Sequence, residues 1–221
     1  LLTTAFYYAW QPFFLKAGPQ ESSRQLFSRI FTYFVLVELT FWLALTALMP
    51  EIVRLHIGRV FLIGKEYQSC EPMVPIILLG YVFLGINQTF LPGIYFEKKT
   101  RFLAYLTFLA ATMNVGANFI LVPGLGIVGS AYSSLIGYIT LAVSGYFVSQ
   151  RLFRVPYEFK RVGLLFLLTL GAGVPIYFGH PGLAVRILIL LIYPVFLAIL
   201  GFFRKDEIAA LKALFPFRNR T

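Results

Sequence analysis

Residues 30–49 read IFTYFVLVELTFWLALTALM, with a single charged side chain, Glu38. A helix rises about 1.5 Å per residue, so about 20 residues cross the roughly 30 Å hydrocarbon core of a bilayer. The same kind of run recurs on both sides of this one, at 1–17, 72–96, 102–121, 126–149, 162–179 and 183–203. The reading is an all-α, polytopic transmembrane helix bundle of about seven spans. Between the second and third spans, 50–71 alternates apolar and charged residues (Ile52, Val53, Arg54, Leu55, His56, Ile57, Arg59). It is too polar to span and is expected to lie along the interface, partly helical.

Composition agrees. Apolar residues make up 59% of the 221 and charged residues 13%, with a mean hydropathy of +0.80. A soluble domain averages roughly 45–50% apolar and about 25% charged. Too few charges are present to cover that much apolar surface in water. The net charge of +10 does not imply nucleic acid, because the cations sit in short clusters between apolar runs, as membrane topology requires. The lone Cys70 cannot form a disulfide within the chain. The chain opens on Leu1-Leu2, inside an apolar run and without an initiator Met, so it reads as a fragment with no signal peptide and with its upstream part missing.

Charge also orients the spans. Alternate connections carry Lys16, Arg24 and Arg29, then Lys98, Lys99 and Arg101, then Arg151, Arg154, Lys160 and Arg161, then Arg204, Lys205, Lys212, Arg218 and Arg220. The connections between them carry only Arg54, Arg59 and Lys65, all in one long loop. The turns 122–125 and 179–182 hold neither Lys nor Arg. By the positive-inside rule the C-terminus is cytoplasmic and Leu1 lies outside, giving a multi-pass protein of the cytoplasmic membrane.

Local features fit this plan. Glu97-Lys98-Lys99-Thr100-Arg101 reads as a tight cytoplasmic turn. Val122-Pro123-Gly124-Leu125-Gly126 reads as a tight outer turn where Pro and Gly end one helix and let the next begin. Gly129, Ser133 and Gly137 recur every four residues, giving a smooth face for close helix approach. Asp206, as an N-cap, with Ile208, Leu211, Leu214 and Phe215 reads as an amphipathic cytoplasmic helix.

The run from Asn114 through Asn118, Leu121-Val122-Pro123, Gly126, Gly129 and Ser130-Ala131 resembles the N-x-x-x-N-x-x-L-[IV]-P-x-x-G-[IV]-x-G-[AS]-A signature of polysaccharide-biosynthesis flippases. These belong to the multidrug/oligosaccharidyl-lipid/polysaccharide exporter superfamily. Ala9-Trp10-Gln11-Pro12-Phe13, the opening Pro72 to Gly80 of the third span, Glu97–Thr100 and Phe203-Arg204-Lys205-Asp206-Glu207 add to the likeness, which covers nearly the whole chain. The resemblance implies two six-helix lobes arranged as an inverted V and followed by two extra helices. On that plan residues 1–150 are helices eight to twelve, residues 151–221 carry the additional pair and the tail, and the N-terminal lobe is missing. It also implies alternating-access transport of a polyprenyl-pyrophosphate-linked glycan, with membrane lipid and polysaccharide-assembly proteins as partners. No cofactor is implied, and the coupling ion would be H+ or Na+.

Several side chains stand out as pathway residues. Glu38 lies mid-span, where a charged carboxylate costs about 2.5–3.5 kcal/mol on insertion scales. It reads as a protonatable or cation-binding group facing a central cavity, or as a protonated acid bonded to a neighbouring helix. Arg186, just inside the outer end of the last span, is expected to snorkel to the headgroups; its alternative is to hold a pyrophosphate. Gln11, Asn87, Gln88, Asn114 and Asn118 are uncharged polar groups within spans, able to bond sugar hydroxyls or neighbouring helices. Asn114 and Asn118, four apart on one helix face, lean towards packing. Lys98, Lys99 and Arg101 are topology determinants or the place where a lipid diphosphate is first met. Pro123, Gly124, Gly126 and Gly129 are structural.

An enzyme is not expected. Asp206 is the one Asp, and His56 and His180 are the two His. No metal-ligand spacing, nucleophile elbow or phosphate-binding glycine loop is present. The alternatives are an ion-coupled multidrug exporter of the same superfamily, which would keep more intramembrane acids, and a membrane-embedded glycan polymerase or ligase, which would carry a larger outer loop.

Overall fold

The computed structural model describes residues 2–57, 60–61, 63–64, 68 and 70–203. The expected tail from Asp206, and Arg59, Lys65 and Glu66 of the long loop, lie outside the described residues. Among the described residues eight helices follow in order: α1 (Leu2–Ala17), α2 (Glu21–Arg54), α3 (Met73–Thr89), α4 (Pro92–Phe96), α5 (Arg101–Leu125), α6 (Ile127–Leu152), α7 (Phe159–Gly179) and α8 (Leu183–Ile199). The strand content among the described residues is one antiparallel pair, β1 (His56–Ile57) on β2 (Val60–Phe61), with His56 opposite Phe61. The protein is an all-α membrane helix bundle. Five units are long and apolar enough to cross a bilayer: α2, α3 with α4, α5, α6 and α7. The apolar α8 has 17 residues and α1 has 16.

The hub is α2. Phe31, Val35, Leu39, Trp42, Leu43 and Ala47 recur at helical spacing and are all buried, so one continuous stripe packs on α3 and α7. Lipid tails are as apolar as Leu, so this stripe is held by close van der Waals fit and by polar contacts rather than by escape from water. The Trp42 indole N–H donates to the Pro75 carbonyl at 2.7 Å. That carbonyl lies in the first turn of α3, where the bond joins it to α2. Between α7 and α8, the Thr169 and Tyr193 hydroxyls meet at 2.8 Å.

Helix α5 is the exception. Its substantial contacts are with α6 alone, and Tyr105, Phe108, Phe119 and Ile120 stand exposed, as expected of a lipid-facing helix. Gly129 and Gly137 of α6 face it. A Cβ on Gly129 would lie 2.6 Å from the Leu121 carbonyl oxygen, and one on Gly137 would lie 3.0 Å from Cβ of Asn114.

Three boundaries differ from the sequence reading. Pro123 does not end a helix: α5 runs through it to Leu125, and the reversal is made at Gly126 alone, with φ 58°. That left-handed conformation is one that only glycine takes without penalty. Helix α2 starts nine residues earlier than Ile30 and continues through Pro50 to Arg54, so the opening of 50–71 is a continuation of that helix. The third span is broken near Phe90-Leu91 into α3 and α4.

At one end of the bundle an aromatic cluster of Trp10, Phe14, Phe27, Phe96 and Phe153 joins α1, α2, α4 and the α6–α7 connection. All the described cations except Arg54 and Arg186 belong to the helix ends and connections on this side. Here the Arg24 guanidinium lies 5.0 Å from the centre of the Phe153 ring. The α6–α7 connection is pinned from both sides. The Gln150 amide N–H donates to the Val155 carbonyl at 2.7 Å and its carbonyl accepts from the Val155 N–H at 3.1 Å, while the Ser28 hydroxyl donates to the Pro156 carbonyl at 2.6 Å.

Candidate functional site

Glu38 sits on α2 midway between the two ends of the bundle and is 5% exposed. The Thr3 hydroxyl of α1 donates to its Oε1 at 2.8 Å. The carboxyl borders a cavity of about 270 Å³ whose other walls include Leu2 and Thr3 of α1, Trp42 of α2, and Leu78 and Tyr81 of α3. Phe34, one turn earlier on α2, packs against Gly85 of α3. The group is therefore an acid at mid-bundle with one hydroxyl donor and a cavity beside it. A carboxylate so placed is expensive to keep charged, and taking up one proton removes that cost. Among the described residues no group of three or more His, Cys, Asp or Glu could hold a metal ion. The chemistry open to a carboxyl in this place is proton uptake and release, binding of a cation, or hydrogen bonding to a polar group that enters the cavity.

The uncharged polar residues lie apart from it. Asn87 and Gln88 are at the C-terminal end of α3, and both side-chain oxygens are buried without a hydrogen-bond partner. Asn87 presses on α6, where a Cβ at Gly145 would collide with its Oδ1. The Gln88 backbone carbonyl accepts the Trp10 indole N–H at 3.2 Å. Gln11 is half-buried on α1 and is not among the walls of the Glu38 cavity. Asn114 and Asn118 bond each other along α5, with Nδ2 of Asn118 donating to the Asn114 carbonyl at 2.9 Å and to its Oδ1 at 3.2 Å. They are part of the α5–α6 contact and not of the Glu38 cavity.

Lys98, Lys99 and Arg101 belong to the α4–α5 turn at the basic end. Lys99 N–H bonds the Ile94 carbonyl and Lys98 N–H the Tyr95 carbonyl, each at 3.0 Å, the pair of bonds that closes a helix in a Schellman motif. Lys98 takes the left-handed position of that motif, with φ 53°, where glycine is the usual residue. Lys98→Gly is expected to stabilise the protein by about 0.5–1 kcal/mol by relieving this strain, read as a higher melting temperature in detergent. Lys99 lies 3.8 Å from Glu97, and the Arg101 guanidinium lies 5.8 Å from the centre of the Phe102 ring.

Arg186 corrects the expectation that it snorkels. It is 8% exposed, and it turns into the bundle. Nη1 donates to the Ala47 carbonyl at 2.7 Å and to Glu51 Oε2 at 2.8 Å, and Nη2 donates to Glu51 Oε1 at 2.6 Å. This bidentate fork fastens α8 to the far end of α2. A second ionic knot fastens the basic end. Glu158 accepts from Arg161 at 2.6 Å and from the Thr32 hydroxyl at 3.2 Å, while Arg161 also donates to the Phe202 carbonyl at 2.6 Å. Nearby, burial and then the adjacent Tyr146 push the Tyr157 phenol far above its ordinary pKa. It stays neutral, with its O–H 3.5 Å from the Thr89 carbonyl.

No family model, curated protein or solved structure matches the chain. Neither knot was foreseen. Glu51 and Arg186 are separated by 135 positions, and the faint signal was that both are charges placed at the margin of an apolar run. Thr3, the partner of Glu38, carried no signal at all.

Proposed function

We propose that the chain forms part of a flippase that moves a polyprenyl-pyrophosphate-linked oligosaccharide or polysaccharide repeat unit across the cytoplasmic membrane by alternating access. The observation that carries the transport class is Glu38, an acid at mid-bundle beside a cavity, with one hydroxyl as its donor. Intramembrane ionisable groups of this kind mark substrate or ion pathways. The glycan class is supported by the likeness of residues 114–131 to the flippase signature. On this reading the bundle is the second lobe of a two-lobed transporter, followed by α7 and α8 as the extra pair. The basic end faces the cytoplasm under the positive-inside rule, so an anionic headgroup meets Arg24, Arg29 and the α4–α5 turn first.

The coupling ion is H+ or Na+; Glu38 can take up a proton, and its hydrogen-bond donor among the described residues is the Thr3 hydroxyl. In cells lacking the protein, lipid-linked glycan should accumulate in the cytoplasmic leaflet. Glu38→Gln keeps the shape and removes the proton site, so at equal expression it should leave translocation near the level of those cells. Full translocation by Glu38→Gln would remove the acid from the mechanism. If the same variant stopped export of cationic dyes while the glycan still flipped, the chain would instead be an ion-coupled multidrug exporter.

A further inference from the structure

A cavity of about 550 Å³ opens at the end of the bundle opposite the basic one, a volume typical of small-molecule sites. Thr46 and Arg54 of α2, Gln68 and Glu71 of the α2–α3 connection, and Tyr177 and His180 at the end of α7 supply its polar wall. The wall is held in place. The Tyr177 phenol donates to the Pro72 carbonyl at 3.0 Å, tying α7 to the start of α3. Arg186, on the fourth side, is fixed by Glu51 and the Ala47 carbonyl. Pro50, Pro75 and Pro181 add flat apolar surface.

The charges decide which ligand fits. Arg186 is neutralised by Glu51, and Arg54 and Glu71 are of opposite sign, so among the described residues the wall carries little net charge. A lone phosphate or a lone cation would find no excess of opposite charge here. What the wall does offer is planar groups (amide, carboxylate, guanidinium and imidazole) whose paired donors and acceptors match neighbouring hydroxyls. One buried group points the same way. Thr46 lines the cavity, is 4% exposed, and its hydroxyl has no hydrogen-bond partner, whereas buried polar groups are almost always bonded.

We propose that this cavity is a carbohydrate-binding site on the far side of the membrane from the basic end, receiving the leading sugars of the translocated headgroup. The proposal deepens the flippase reading and rests on it. Hydroxyl pairs bond the side chains of Gln68, Glu71 and His180, and the C–H face of a sugar ring lies on the prolines. Gln68 and Glu71 discriminate among sugars by leaving their own polar groups unmatched when the wrong epimer enters.

The test uses the whole transporter containing this chain, purified in detergent micelles, and saturation-transfer NMR with a panel of free hexoses, N-acetylhexosamines and uronic acids. At least one sugar should bind at millimolar concentration. Gln68→Ala and Glu71→Ala should each weaken it about tenfold, the expected loss for one hydrogen bond to a charged or paired group. Gln25→Ala at the basic end should change nothing. Both cavity variants lie on the α2–α3 connection, and His180→Ala provides a third. Binding by no sugar in the panel, or binding indifferent to all three variants, overturns the proposal. Translocation in cells separates the two readings. Sugar binding that ignores the cavity variants, with flipping still lost in Glu38→Gln, overturns the cavity alone. Sugar binding that maps to Gln68 and Glu71, in a protein whose removal leaves flipping unchanged, keeps the cavity and overturns the flippase.

Discussion

Glu51→Ala is expected to destabilise the bundle by about 3 kcal/mol, because it strands the Arg186 guanidinium among helices with the Ala47 carbonyl as its remaining partner. Breaking a buried ion pair from one side costs about 3–5 kcal/mol. The Glu51 side chain is 37% exposed against 9% for Arg186, so water can partly replace it, and the lower end of the range applies. The measurement is the unfolding midpoint in mixed micelles. The informative comparison is Glu51→Leu combined with Arg186→Met, which removes both charges and should recover most of the loss, since an apolar pair of similar volume often matches a buried ion pair. A double variant as unstable as Glu51→Ala would mean that the fork bonds themselves, and not the stranded charge, hold α8 to α2.

Gly129→Leu should have an effect of similar size but confined to one place. Overfilling a tight contact costs about 1–3 kcal/mol and occasionally more. Here the obstacle is the Leu121 backbone, whose carbonyl oxygen would be 2.6 Å from the new Cβ, so no change of rotamer relieves it. A cost near 3 kcal/mol is expected at the upper end of that range. Because the substantial contacts of α5 are with α6, the damage should appear as faster hydrogen exchange along α5, with α2 and α3 still protected. Gly116→Ala on the same helix meets nothing within 4 Å and should be neutral or slightly stabilising, since alanine is the better helix former. Equal exchange along every helix in Gly129→Leu would show that α5 and the rest unfold together.

Five of the seven expected spans stand as helices long and apolar enough to cross a bilayer, and they were legible because their signal is simple: an apolar run must be long enough to cross hydrocarbon, and interruptions such as Glu97–Arg101 are short and charged. Glu38 was legible for the converse reason, as a charge with no place in such a run. Boundaries were less so. Pro123 looked like a stop, yet a proline lacks only one N–H bond, and α5 passes through it to a glycine three residues on. The extension of α2 to Arg54 was hidden by its charges, which sit in a helix end outside the apolar stretch. What the chain did not reveal is pairing over long separations. Thr3 with Glu38, Thr32 with Glu158 and Glu51 with Arg186 depend on how helices are laid side by side, which periodicity along one helix does not encode.

The 34 residues of α2 make a rod about 51 Å long at about 1.5 Å per residue, well beyond the thickness of a hydrocarbon core. Its first turns touch the Arg24 and Ser28 contacts, its middle bears Glu38, and its last turns grip Arg186. A stiff beam fixed in this way cannot swing at one water layer and stay still at the other. A displacement of its midpoint on protonation of Glu38 would therefore be carried to both ends of the rod together.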